Sequence, residues 1–338
     1  MVLMSTVEDF LKKGKLLSPE VVEDVSRLND KEKESLMEAE ELVIKKENIT
    51  ELKALKPEII ETDYQEKKEL HVSEFTEFYL DRFEFLKGEI KERLEGEEIS
   101  SINNITSGET CIIGMVRDVG DDVVIEDKTG ELVLKTNQSF VEDEVIGVKG
   151  KVIKNDGVVM SPSKIIFPDV PLGKEVRALD DEKTALFVTK VDERVKDFVK
   201  KEGVDYIFSV EEPDDQDLGA VFISDEPGEL SDIDPVRCRL GNMVILVHDG
   251  SSVDKAQKTM GLERTQAMIA LLKKRHLDPV EMHSLNDRYL IREVPDIVHV
   301  SGEDSTKANY KGVTLLSTTE DRAFTVNLKT REIDEVEL

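Results

Sequence analysis

From Thr110 to Met160 the chain repeats one pattern, short apolar runs of period two cut by glycine and aspartate turns. The runs are Cys111-Ile112-Ile113-Gly114-Met115-Val116, Val123-Val124-Ile125-Glu126, Glu131-Leu132-Val133-Leu134, Val145 to Val152 and Val158-Val159-Met160. Asp127-Lys128-Thr129-Gly130 supplies a hairpin turn, with a glycine free to take positive φ. Successive side chains of a strand face opposite sides, so each run has one face to bury and one edge to pair. Closure into a small barrel of OB type answers both needs at once, and a barrel is predicted over 105–167.

The period differs on either side. Val7, Phe10 and Leu11, then Val21, Val22, Val25 and Leu28, recur at helical spacing, and Ser18-Pro19-Glu20 looks like a cap followed by proline at the first helical position. A small helical module is predicted over 1–45, followed by a charged linker over 46–70 that contains Pro57. A long helix leads into the barrel within 71–104. Ser73 is its predicted cap, and Phe75, Tyr79, Phe83, Leu86, Ile90 and Leu94 form a stripe at steps of three and four. That stripe fits a core-facing surface, with a partner-binding groove as the other reading.

After a linker over 168–183, residues 184–338 are mixed. Ala185-Leu186-Phe187-Val188-Thr189, Tyr206 to Val210, Ala220 to Ser224 and Met243 to Val247 are continuous apolar runs of the kind buried on both faces. Helical stretches fall at Val191 to Lys201 and Thr265 to His276, and strands return at Gly312 to Ser317 and Ala323 to Leu328. The expected fold class is α+β and multidomain: a helical module, an OB barrel and a layered α/β sandwich.

Composition narrows the function. The longest apolar runs stop far short of the roughly 20 residues a membrane span needs, and the first residues lack a signal-peptide pattern, so a cytoplasmic protein is expected. Cys111 and Cys238 form no CxxC pair, which argues against structural zinc and for two small core residues. A net charge of -28 opposes broad attraction to nucleic acid. It fits either a partner with a basic surface or a saline cytoplasm. Between Ile105 and Phe167 the only aromatics are Phe140 and Phe167, and seven basic residues face eleven acidic ones. Binding of single strands uses aromatic platforms and a basic groove, so the barrel is expected to be structural.

Several strings carry a resemblance. Ile112 to Val116, Asp143-Glu144-Val145-Ile146-Gly147-Val148-Lys149-Gly150, Ile165-Ile166-Phe167-Pro168-Asp169-Val170-Pro171, Leu271 to Leu277 and Val294-Pro295-Asp296-Ile297-Val298-His299 resemble the small subunit of archaeal family D DNA polymerase. The likeness runs from about Val72 to Leu338. It implies an OB barrel and a calcineurin-like phosphoesterase domain, which in that family supplies 3′ to 5′ exonuclease activity while a large subunit polymerises.

Such a phosphoesterase holds two divalent cations about 3.5–4 Å apart. The family draws their ligands from Asp-x-His, Gly-Asp, Gly-Asn-His-Asp, a later His and a closing Gly-His-x-His. Here the first motif is replaced by Lys190-Val191-Asp192, where a lysine ammonium would repel a cation. The second becomes Val210-Glu211 and the third Pro227-Gly228-Glu229-Leu230, while His248 matches the later His and Val300 to Asp304 follow His299 without the closing pair. His71, His276 and His283 complete the histidines, and His276 is read as the end of a basic helix turn. Lys190, Asp192, Glu211, Glu229, Leu230 and His248 are thus read as degenerate positions, with no metal, no cofactor and no catalytic residue expected. Gly250-Ser251-Ser252 is read as the turn into a helix.

The resemblance then implies a scaffold that binds the large catalytic subunit and meets DNA through the complex. The alternative is an active exonuclease, with two Mn- or Mg-type cations on a shifted site of Asp192, Glu211, Asp225, His248 and Asp249. A free single-strand-binding OB module is the third reading.

Overall fold

The computed structural model describes residues 2–28, 33, 36–37, 41–46, 48, 56–60, 71–154, 158–211, 221–222, 234–280 and 287–338. By its internal contacts the chain divides into Met1–Lys56 and Pro57–Leu338. In the first unit, α1 (Val2–Lys12) and α2 (Val22–Arg27) enclose Phe10, Val21, Val25, Leu28 and Ile44. Two short strands, β1 (Leu16–Leu17) and β2 (Val43–Ile44), pair in parallel beside them. Ser18 and Pro19 open a turn and not a helix: the Val21 N–H bonds the Ser18 carbonyl at 3.1 Å, and α2 starts only at Val22.

The second unit begins with a departure from the predicted linker. Glu58–Ile59 is a strand, β3, paired antiparallel with Arg239 and Cys238. Then comes α3 (Val72–Arg93), whose N-cap is His71 and not Ser73; the Glu74 carboxylate accepts the His71 backbone N–H at 2.8 Å, one half of a capping box. Its stripe divides in two. Phe83, Leu86, Ile90 and Leu94 are buried against Cys111, Ile113, Met115 and Val145, whereas Phe75 is 44% exposed, as is Leu80 beside the stripe at 40%.

The barrel consists of β4 (Gly108–Val119), β5 (Val123–Asp127), β6 (Gly130–Leu134), β7 (Val145–Lys154) and β8 (Val158–Ile166), closed in the order β4-β5-β6-β8-β7. Only β6 and β8 run parallel. A closed five-stranded barrel of this kind is consistent with an OB-fold. Ile112, Val116, Ile125, Leu132, Ile146 and Val148 fill it. At Gly147 a Cβ would lie 2.7 Å from Ile90 Cγ2, so the missing side chain lets α3 lie directly on β7.

Two sheets form the rest. One, ordered β11-β10-β9-β17-β18, contains β9 (Thr184–Val188), β10 (Tyr206–Ser209), β11 (Val221–Phe222), β17 (Arg322–Asn327) and β18 (Ile333–Glu337). The other, ordered β15-β16-β14-β13-β12-β3, contains β12 (Val236–Leu240), β13 (Met243–His248), β14 (Ile297–Ser301), β15 (Thr306–Tyr310) and β16 (Val313–Thr318). Phe187, Phe208, Val236, Ile245, Val247, Leu316 and Phe324 pack between the sheets. The outer face of the first sheet carries α4 (Glu193–Glu202), through Val195 and Phe198. The outer face of the second carries α5 (Ser251–Met260) and α6 (Arg264–Lys274), through Val253, Met268 and Leu271. The layers run helix, sheet, sheet, helix, a mixed α/β sandwich.

Buried ion pairs join barrel, helix and sandwich. Lys274 meets Glu144 at 2.6 Å, Arg275 meets Glu89 at 3.0 Å, and Arg82 meets Asp287 at 2.5 Å. The last pair adds to the reading of His276 as the end of a basic helix turn: it is 1% exposed, with Nε2 2.9 Å from Asp287. Cys111 and Cys238 are free and buried, and burial pushes the Cys238 thiol up to about 12.

Candidate functional site

The described positions singled out from the sequence lie at or just past strand ends. Lys190 and Glu211 are exposed after β9 and β10. Asp192 caps α4, accepting the N–H groups of Arg194 and Val195 at 3.0 and 3.1 Å and pairing with the Arg194 guanidinium. Burial works against its charge, but those bonds outweigh it and lower its pKa. Asp225, Glu229, Leu230 and His283 lie outside the described residues.

His248 and His299 stand on neighbouring strands but cannot meet. Val247 is the register partner of His299, and His248 that of Val300. Because side chains alternate along a strand, the two imidazoles face opposite sides of the sheet. His248 shares the helix-facing side with Leu246, and His299 the inter-sheet side with Ile297. His299 lies edge-on to Phe187 at 5.4 Å, with Nε2 2.9 Å from the Thr318 hydroxyl, itself 2.9 Å from that of Thr189. Its Nδ1 is buried without a hydrogen-bond partner, and burial pulls its pKa down to about 3.

His248, fully buried, is the centre of a denser cluster. Its Nδ1 is 2.8 Å from both carboxylate oxygens of Asp234 and 3.3 Å from Asp249 Oδ1, and its Nε2 is 2.6 Å from Ser252 Oγ. Asp249 Oδ1 also accepts the Ser251 backbone N–H and hydroxyl, at 2.8 and 2.7 Å. The turn reading of Gly250 to Ser252 is therefore incomplete. Gly250 does cap α5, at φ 94°, but the turn also brings Ser252 onto His248. The spacing of four residues between His248 and Ser252 was the available signal; Asp234 gave none.

Asp234, His248 and Asp249 are the one group among the described residues that could hold a metal ion. Two carboxylates converging on one imidazole nitrogen do not fit a pair of cations 3.5–4 Å apart, roughly the spacing a dinuclear phosphoesterase needs.

A second feature lies beside the exposed half of the α3 stripe. A cavity of about 470 Å³ is lined by Phe75, Tyr79, Leu80, Met115, Arg117 and Asp143, among others. The Tyr79 hydroxyl donates to Asp143 at 3.3 Å, and burial raises the Asp143 pKa. The core-facing reading of the stripe thus holds for Phe83 to Leu94, while Phe75 is left exposed beside the cavity.

No protein-family model and no curated protein matches the chain. Solved structures similar to parts of it include the Stn1–Ten1 complex of S. pombe (15% identity, 21% of this chain and 75% of that one, TM-score 0.18). The telomere capping protein Ten1, of Saccharomyces pombe, shares 15% identity over 21% of this chain and 79% of its own, with a TM-score of 0.18. An OBody bound to hen egg-white lysozyme shares 22% over 20% of this chain and 90% of its own, with a TM-score of 0.17. At such scores these likenesses carry no argument about binding. No helix among the described residues is long and apolar enough to cross a membrane.

Proposed function

We propose that this chain is a non-catalytic accessory subunit of a family D DNA polymerase, binding the large catalytic subunit through its barrel and sandwich. One observation carries the reading. Where paired cations would be gripped, Lys190 and Glu211 are exposed, Asp192 caps α4, and His248 and His299 face opposite sides of one sheet. The layer order of the sandwich and the barrel tied to it by Lys274–Glu144 support the phosphoesterase-like architecture that the resembling segments imply. Phe75 and Leu80, exposed beside the α3 cavity, support a partner contact on that face.

Co-expression with a family D large subunit tests this. A stable complex in molar KCl is expected, and Phe75→Glu should weaken it about tenfold without unfolding the chain, as the loss of one apolar anchor does. Failure of the two chains to associate in low and molar salt alike would remove the proposal. Fluorescence anisotropy with a labelled oligothymidylate addresses the single-strand module: little binding by the isolated chain is expected.

A further inference from the structure

We propose that Ser252 is a base-activated nucleophile, with His248 as its general base and Asp234 as the positioning residue, and that the site cleaves small carboxylic esters. The inference goes beyond the polymerase reading, in which non-catalytic refers to the phosphodiester chemistry of a cation pair, and its failure would leave that reading untouched.

The protons decide the polarity of the cluster. A carboxylate can only accept, so Nδ1 of His248, 2.8 Å from both oxygens of Asp234, is the donor of that contact. Nε2 is then the acceptor, and the Ser252 hydroxyl donates to it at 2.6 Å. This is the tautomer and the direction that a Ser–His–Asp arrangement requires. A bound cation explains the distances less well. Donors around one metal with bonds of about 2.0–2.2 Å stand roughly 3.3 Å apart, and 2.8 Å is a hydrogen-bond length.

The fold holds the pair firmly. At Gly250 a Cβ would come within 2.1 Å of the Ser301 carbonyl oxygen, so the passage from β13 to α5 is as tight as glycine permits. Tyr289 meets the imidazole edge-on at 6.1 Å, and hydrogen bonds at both ring nitrogens set the ring plane. His248 is fully buried and Ser252 is 4% exposed, which strengthens the hydrogen bonds between them. Ser252 lies in the first turn of α5, where the helix dipole favours a developing oxyanion.

In the reaction Ser252 Oγ attacks the ester carbonyl while its proton passes to Nε2. The tetrahedral adduct collapses, the C–O bond to the alcohol breaks, and Nε2 returns the proton to the leaving oxygen. Water, deprotonated by the same nitrogen, then hydrolyses the acyl-serine, so that ester and water yield acid and alcohol.

A fluorophosphonate probe on the full chain tests the assignment, since attack by serine displaces fluoride and leaves a stable adduct. One adduct per chain is expected, mapped to Ser252 by mass spectrometry and absent in Ser252→Ala. Asp234→Asn should lower the maximal labelling rate about 100-fold while leaving the half-saturating probe concentration unchanged, which a merely structural role would not do. Turnover of p-nitrophenyl acetate should fall in parallel. A folded wild-type chain with no adduct on Ser252 overturns the proposal, whether or not Ser252→Ala folds. An unchanged labelling rate in Asp234→Asn overturns it too, as does stoichiometric Zn²⁺ binding lost in His248→Ala, which would assign the cluster to a metal.

Discussion

His299 sets an acid limit on the fold. Burial holds its pKa at about 3 in place of 6.5, so the unfolded chain binds the proton more readily across that interval. The stability this neutral imidazole contributes is full above pH 6.5 and falls as the pH drops towards 3. Between pH 7 and pH 5 the loss should come to about 2 kcal/mol, and His299→Gln should flatten it, as urea midpoints at the two values would show. Asp287 works lower on the scale. Burial opposes its charge, but His276 and Arg82 outweigh burial and hold its pKa at about 2. Its contribution is present above pH 3.8 and lost as the pH falls through 2. Asp287→Asn leaves Arg82 buried without its carboxylate and should cost about 3 kcal/mol in chemical denaturation at pH 7. None of this was legible from Lys273-Lys274-Arg275-His276, which has the spacing of a solvated helix end. The partners that bury His276 come from Asp287 and, through it, from Arg82 on a helix nearly 200 residues earlier.

At the level of elements, packing of α3 on the barrel depends on a large residue meeting a missing one. Ile90 is fully buried and touches the site of the absent Gly147 side chain. Ile90→Ala should destabilise the chain by about 2–4 kcal/mol, and Gly147→Val should cost at least as much, read as urea midpoints. A Gly147→Val protein as stable as the wild type would refute the close approach. Alternation made the barrel strands and the continuous runs of β9, β10 and β13 readable. β12 alternates as well, Val236, Cys238 and Leu240 against Arg237 and Arg239, but is too short and too basic to stand out, and β15 and β18 are polar or charged strands at sheet edges. The two residues of β3 carry no period at all, and only pairing with β12 makes them a strand. At the candidate site, His248 was readable as a strand-end histidine. Its meeting with Asp234 was not, because the two lie on different segments brought together by the sheet.

For the whole molecule, 74 acidic against 46 basic residues make repulsion a general destabilising force. Raising KCl from about 0.01 to about 1 M shortens the Debye length from about 30 to about 3 Å. The melting temperature should rise by about 2–4 °C for each kcal/mol of repulsion screened, and indifference to salt would show that the charges are locally balanced. The same acidity suits the proposed subunit, which would meet nucleic acid through its partner. We propose a sandwich with the layers of a phosphoesterase and without the means to grip its cations. Incubation of the purified chain with Mn²⁺ and a 3′-end-labelled single strand tests it most directly. The account predicts that the strand stays at full length, and progressive 3′ to 5′ shortening that disappears in His248→Ala would contradict it.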